Sequence, residues 1–343
     1  MAITLSKIIE FPAQHHCGLK TVTAVDKQID LIGQMTEKTN FLARKSSKNL
    51  ICGETGKLIE DKFSILKCDT DSGEIIDDEF CFSYAGKQFD IIQNRTVMAA
   101  IEESIAAVFS REQVKDLSLT EKTAFDGRKC SFEIDFPSIG FDLKLAKFTT
   151  QNIFGLSIQN GFGGGEGGAK LSIADRIIDL VCLNGMMLQK PTDVISGRHF
   201  SGVNRKIIST NFKTFLQNSL NEFHTSRERI LKYVDKPLTR EQVKDLLVLA
   251  GFGCNAKTES RTRASGLSST GDAILGQLEI EVATRGGGLN MYNFQSALTQ
   301  WSTHEKVQKL RDTSKDHAAD SLQKRQVRVQ NLMQTNTWLQ LAA

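Results

Sequence analysis

Six glycines fall within the eleven residues 160–170, in the stretch NGFGGGEGGAK. Glycine-rich turns do chemistry by letting backbone N–H groups crowd around a phosphate, and two spacings are diagnostic. A P-loop needs Gly, four residues, then Gly-Lys-Ser/Thr. Here Gly163 and Gly168 are followed by Ala169, the lysine arrives one position late at Lys170, and Leu171 stands where the magnesium-binding hydroxyl belongs. A dinucleotide loop needs G-x-G-x-x-G between a buried parallel strand and a helix, with an acidic residue about twenty positions on. Gly163, Gly165 and Gly168 match that spacing, but a run of glycines does so by chance. The segment before them alternates like an antiparallel strand, and no carboxylate lies between Asp179 and Asp193. The loop is expected to let the chain turn and let another backbone come close, and no cofactor is assigned to it.

Other reactive residue types are scattered. The seven cysteines (Cys17, Cys52, Cys68, Cys81, Cys130, Cys182, Cys254) form no close pair of the kind that clamps zinc and read as reduced thiols. His15 and His16 are adjacent, so their side chains point apart on a helix or strand. The acidic run at residues 77–79, DDE, could hold magnesium in a two-metal nuclease, yet it sits beside a hairpin turn where solvated carboxylates are ordinary. No nucleophile elbow is present. No catalytic or metal-binding residues are therefore assigned.

Charge is more informative. Residues 196–265 carry 13 basic and 6 acidic side chains, whereas residues 1–195 carry 22 and 27. A basic excess of seven in so short a stretch suits a surface that meets a polyanion; the alternative is a solvated face balanced by the acidic half. The candidate contacts are Lys170, Arg198, Arg205, Lys206, Lys213, Arg227 and Arg229 along a groove, with Arg261 and Arg263 on a closing loop. That loop, residues 254–273, is rich in Ser, Thr and Gly and almost free of apolar residues, and is expected to be mobile. Tyr292 and Trp301 could stack on bases, but the spacing Phe294, Leu298, Trp301 is also that of a core-facing helix.

The elements that must position these residues follow from periodicity. Helical spacing runs over residues 21–44 (Val25, Ile29, Ile32) and 96–109 (Val97, Ile101, Ile105, Val108). The turn TDSG at 70–73 separates β-rich runs, and from residue 129 Phe132, Ile134 and Phe136 alternate with Glu133 and Asp135, predicting an antiparallel sheet with one covered and one wet face. From 211 onward Phe212, Phe215, Leu216, Leu220 and Phe223 share a helical face. The heptapeptide REQVKDL occurs at 111–117 and 240–246; Ser110 with Gln113 and Thr239 with Gln242 form capping boxes that predict two helix starts. The expected class is α+β: a helical segment over 1–50, an antiparallel sheet core over 51–210 and a helical region over 211–343. The first twenty residues lack a secretory apolar core and no run reaches membrane-span length, so a cytoplasmic location is expected.

Four segments in order resemble the phage- and plasmid-encoded family named domain of unknown function 932. They are FGLSIQNGFGGGEGGAKLSI with DLVCLNGMML, then RHFSGVNRKI, then NMYNFQSALTQWSTHE, covering about residues 60–310. The resemblance places His199, Gly202, Asn293, Ala297, Thr299 and His304 on positions of its motifs, with Asp179 where the family commonly has arginine. It implies a phage or mobile-element protein of a bacterial host cytoplasm, akin to single-strand annealing proteins. The function expected is binding of single-stranded DNA in recombination or replication, without catalysis, by a protein that self-associates. The alternatives are a phage interaction protein that meets a host partner, and a nucleotide- or metal-dependent enzyme.

Overall fold

The computed structural model describes residues 29–76, 83–87, 89–124, 127–163, 171–180, 184–187, 192–193, 205–253, 266–303 and 318–343. It is an α+β fold with two antiparallel sheets and a helical C-terminal region, as the patterning requires. Strands β1 (Leu42–Ile51), β2 (Leu58–Cys68) and β3 (Ser83–Gly86) form the first sheet in that order. The second takes β4 (Ser118–Ala124), β5 (Lys129–Lys144), β6 (Thr149–Gly161), β7 (Leu171–Asp179) and β8 (Asn184–Met187) in order, with β9 (Thr192–Asp193) also on β7. The helices are α1 (Leu31–Gln34), α2 (Asn94–Val108), α3 (Arg111–Val114), α4 (Arg205–Asp235), α5 (Arg240–Leu247), α6 (Ser269–Arg285), α7 (Met291–Thr303), α8 (Ala318–Met333) and α9 (Asn336–Ala342). Among the described residues no helix is long and apolar enough to cross a membrane.

The chain divides into two compact units interleaved in sequence. The first takes Met1–Ile134, Ile158–Ile173 and Asp193–Gln217; the second takes Asp135–Ser157, Ala174–Thr192 and Asn218–Ala343.

Within the first unit, α2 follows its apolar spacing: Val97, Ile101 and Ile105 are fully buried. Two asparagines join it to its surroundings. Asn160 Nδ2 donates to Ile92 O and Asn94 Oδ1, both at 2.9 Å, while Asn94 Nδ2 donates to Thr39 O at 2.9 Å. Nearby, Phe41 packs on Phe162 with centroids 5.3 Å apart. The edge strand β1 is closed at Ala43, whose N–H donates to Gln93 Oε1 and whose carbonyl accepts from Gln93 Nε2, at 2.9 and 2.7 Å. The turn expected at 70–73 is present, with Asp69 Oδ1 accepting from Ser72 N at 2.7 Å and Asp71 N at 2.9 Å. These bonds hold the Asp69 carboxyl below its ordinary pKa.

Within the second unit the core is aromatic. Phe223 of α4 meets Phe141 at 5.6 Å and Phe154 at 5.5 Å, Phe252 meets Trp301 edge-on at 4.9 Å, and Tyr233 meets Trp338 at 6.1 Å. The capping box of α5 is formed: Gln242 N donates to Thr239 Oγ1 at 3.2 Å and Thr239 N to Gln242 Oε1 at 2.8 Å. Its counterpart at α3, in the first unit, has Ser110 N donating to Gln113 Oε1 at 2.8 Å.

Three expectations are corrected. The helix expected over 21–44 is, among the described residues, only the four-residue α1, and the chain is already a strand from Leu42. Val25 lies outside the described residues, and Ile29 with Ile32 spans less than one turn, too little to propagate a helix. The wet face is partial: Ser118 and Thr120 of β4, Asp142 and Lys144 of β5, and Thr149 and Gln151 of β6 are exposed, whereas Glu133 and Asp135 are half-buried beside buried Phe132, Ile134 and Phe136, and β7 is buried at all nine positions. A strand covered on both faces loses alternation as a guide. The loop expected over 254–273 ends early: residues 269–273 are the first turn of α6, begun by Ser268 Oγ accepting from Gly271 N at 3.2 Å.

Of the glycine run, Gly163 shows its purpose directly. Its φ is +96° and a Cβ there would stand 2.6 Å from Tyr84 O. Gly163→Ala is therefore expected to destabilise the protein by about 2–4 kcal/mol, backbone strain plus overlap. Gly56→Ala, at φ +66° with no atom within 4 Å, should lose only about 1 kcal/mol; equal losses in urea unfolding would show that close approach is irrelevant.

Candidate functional site

Of the nine basic residues proposed to contact nucleic acid, Lys170, Arg198, Arg261 and Arg263 lie outside the described residues, as do His15, His16, the acidic run at 77–79, His199, Gly202 and His304. Arg205 and Lys206 open α4. Lys213 is exposed on the part of α4 in the first unit. In the second unit, Arg227 and Arg229 are two positions apart on α4 and so project to opposite sides. Arg227 is exposed, its guanidinium 6.0 Å from the Phe141 ring centroid. Arg229 is held on its own helix, donating to Ser226 Oγ at 2.5 Å and to Glu222 Oε1 at 3.2 Å. The structure thus leaves Lys213 and Arg227 facing solvent and does not bring Arg229 onto the side of Arg227.

A different set of residues converges in the second unit, and its positioning begins with a turn. Helix α6 ends at Arg285 and is followed by Gly286, Gly287 and Gly288, with φ of +74°, +74° and +71°. Such angles suit glycine, and they let α7 start within a few residues. Asn293 locks the turn, donating through Nδ2 to Gly286 O at 3.0 Å and Gly288 O at 2.9 Å. The last turn of α6 and the first of α7 thereby present Glu281, Arg285 and Tyr292 together, while β7 contributes its last residue, Asp179.

Arg285 is 1% exposed. Its Nη1 lies 2.7 Å from Asp179 Oδ2 and donates to the Tyr292 hydroxyl at 2.9 Å, and its Nε donates to Glu281 Oε2 at 2.6 Å. One guanidinium faces two buried carboxylates, and neutral donors supply what it lacks. Thr150 Oγ1 and the Tyr292 hydroxyl donate to Asp179 at 2.5 and 2.9 Å; Gln277 Nε2 and Ser296 Oγ donate to Glu281 at 2.9 and 3.1 Å. Burial is the main force that pushes the Tyr292 phenol far above its ordinary pKa, and the Asp179 charge adds to it against the opposing Arg285. The hydroxyl is committed as donor and acceptor, so the cluster holds the unit together and offers no free acid or base.

Beside the cluster is a cavity of about 30 Å³, with Asn152, Asp179, Tyr292, Gln295, Ser296 and Thr299 in its lining. A space that small suits one or two solvent molecules, not a nucleotide, whose site would need about 300 Å³ or more. Among the described residues no group of three or more His, Cys, Asp or Glu side chains could hold a metal ion. Tyr292 and Trp301 are core residues, both 6% exposed. Of the residues picked out by the family resemblance, Asn293 holds the glycine turn before α7, and Thr299 Oγ1 donates within α7 to Gln295 O at 2.8 Å.

Glu281 and Arg285 lie outside the basic stretch 196–265, so charge patterning does not point to them. A local signal existed in their i, i+4 spacing at the end of a helix stopped by glycines. No protein-family model, curated protein or solved structure matches the chain.

Arg285→Met is expected to destabilise the protein by about 3–5 kcal/mol in urea unfolding, because two carboxylates stay buried without their cation. Glu281→Gln, which leaves Arg285 paired with Asp179, should lose less. Tyr292 has its folded pKa raised, so its contribution to stability is whole below the unfolded tyrosine value of about 10 and falls as pH rises beyond it. Tyrosinate absorbance of the wild type and of Tyr292→Phe should therefore coincide up to alkaline unfolding; a smaller native-state rise in the variant would refute this.

Proposed function

We propose that the protein binds nucleic acid without transforming it, and that its ligand is single-stranded DNA in the recombination or replication of a phage or mobile element. The observation that carries this reading is the concentration of 13 basic against 6 acidic side chains in residues 196–265. Two of the proposed contacts within it, Lys213 and Arg227, face solvent on the long helix α4. The ordered likeness of four segments to the phage- and plasmid-encoded family supports the same reading and supplies its biological setting. In this reading affinity comes from neutralising phosphates, so it carries little sequence preference and falls with salt. The same reading takes Lys170, Arg198, Arg205 and Lys206 as further phosphate contacts, with Arg261 and Arg263 on a closing loop. Self-association belongs to this reading, as a continuous strand engages several copies in turn.

The test is fluorescence anisotropy of a labelled oligonucleotide, single- and double-stranded, at several salt concentrations without nucleotide or metal. Tight single-strand binding with a steep salt dependence is expected. Lys213→Ala combined with Arg227→Ala should reduce the slope by about 1.4, from about 0.7 per phosphate contact on a single strand. Arg229→Ala should change it less, its guanidinium being engaged by Glu222. Absence of binding at low salt would transfer the basic block to an acidic protein partner.

A further inference from the structure

Strands β1 and β2 of the first unit continue outward beyond the support of their sheet. The third strand, β3, pairs with β2 at residues 62 to 65, opposite Gly86, Ala85, Tyr84 and Ser83. Further out, Leu50 pairs with Ile59 and Ile51 with Leu58, and the ribbon closes in a turn where Cys52 N donates to Lys57 O and Gly56 N to Cys52 O, both at 2.8 Å. Every residue from 53 to 62 is exposed. The ribbon is also bent, with register shifts at Asn49 and a positive φ of 56° at Asp61. Such irregularities swing a strand pair out of the plane of its sheet.

The composition of this outer end is unlike that of a solvated hairpin. Ile51 is 62% exposed, Leu58 63% and Ile59 41%. Ile51 and Leu58 are direct cross-strand partners and therefore share a face. A two-stranded ribbon with both faces in water is marginally stable, and an aliphatic pair on it calls for a covering layer. Among the described residues, the exposed charges around the pair are Lys57 and Lys62 against Glu54, Glu60 and Asp61. Three carboxylates against two amines make a poor phosphate contact. The same mixture is complementary to itself: under two-fold symmetry, the lysines of one copy can meet the carboxylates of the other while the aliphatic pairs stack.

We propose that the outer end of the β1–β2 ribbon is a self-association surface whose occupant is the same ribbon of a second copy of this chain, seated through the face that carries Ile51 and Leu58. This names the surface for the self-association included above and does not require that nucleic acid be bound. The Cys52 thiol, in the turn between the strands, provides a reporter of the contact.

The experiment is sedimentation velocity on the full chain from 1 to 100 µM, with reductant and without nucleic acid, comparing the wild type with the Ile51→Asp/Leu58→Asp variant. The wild type is expected to dimerise or associate further, and the variant to weaken association at least 100-fold with an unchanged circular-dichroism spectrum, since both side chains are exposed. A short bismaleimide should link wild-type copies through Cys52, and Cys52→Ser should remove the link without altering sedimentation. A wild type that stays monomeric throughout, a variant that associates as tightly as the wild type, or association that begins only when oligonucleotide or another protein is added would each overturn the proposal. Because no nucleic acid is present, the result is independent of the anisotropy measurement.

Discussion

A guanidinium taken out of water must be given back an equivalent set of negative and polar partners, and the second unit is organised around that demand at Arg285. Its ion pairs reach Asp179 at 2.7 Å and Glu281 at 2.6 Å, joining the end of β7 to the last turn of α6. Two carboxylates for one cation would leave charge uncompensated, and the surrounding residues answer with Thr150, Tyr292, Gln277 and Ser296 as donors. Helix α7, which brings Tyr292 and Ser296 to the cluster on one face, is buried from Met291 to Thr299 without interruption, polar residues included, because α6 and α8 also pack against it. Buried ion pairs are expensive to assemble but more expensive to break, so this cluster restricts the unit to one arrangement of its elements.

The first unit meets the corresponding problem with amides instead of charges. Asn94 and Asn160 donate to backbone carbonyls that no strand partner satisfies, and Gln93 completes the edge of β1 at Ala43. Lys45 extends the scheme, its amine donating to Phe89 O at 2.6 Å, Lys87 O at 3.1 Å and Gly86 O at 3.3 Å. Carbonyls around an amine and amides against peptide groups both obey the rule that backbone polar atoms away from water find partners. The end of β3 and Lys87 and Phe89 beyond it are thereby anchored without a continuous ladder.

The two surfaces assigned a role differ in kind. In the proposed function α4 meets the strand through Lys213 and Arg227, which are exposed together with Lys232, Glu228 and Asp235. The outer ribbon carries aliphatic side chains in a ring of mixed charge, suited to a surface like itself. The proposed function calls for both kinds of contact, because a phosphate-binding surface gives each copy affinity but no register with its neighbours.

Local chemistry was legible in the sequence wherever it depended on residues close in the chain. The capping boxes at Ser110 and Thr239, the apolar spacing of α2, the turn at Asp69 and the alternation at the outer end of β5 all rest on neighbours within one turn or one strand pair. What tertiary structure alone decided is which residues lose water on every side. Tyr292 and Asp179 stand 113 positions apart, and nothing local to either reports that their side chains meet. Strand β7 is buried at all nine positions, so no alternation in its own sequence marks a covered and a wet face. The run of glycines at 286–288 is visible in the sequence, but only the folded unit shows that it forms the turn that brings Arg285 and Tyr292 onto one aspartate. Periodicity records half-burial, which a residue and its near neighbours settle between them; full burial and charge pairing depend on which distant segments arrive, and that is a property of the fold.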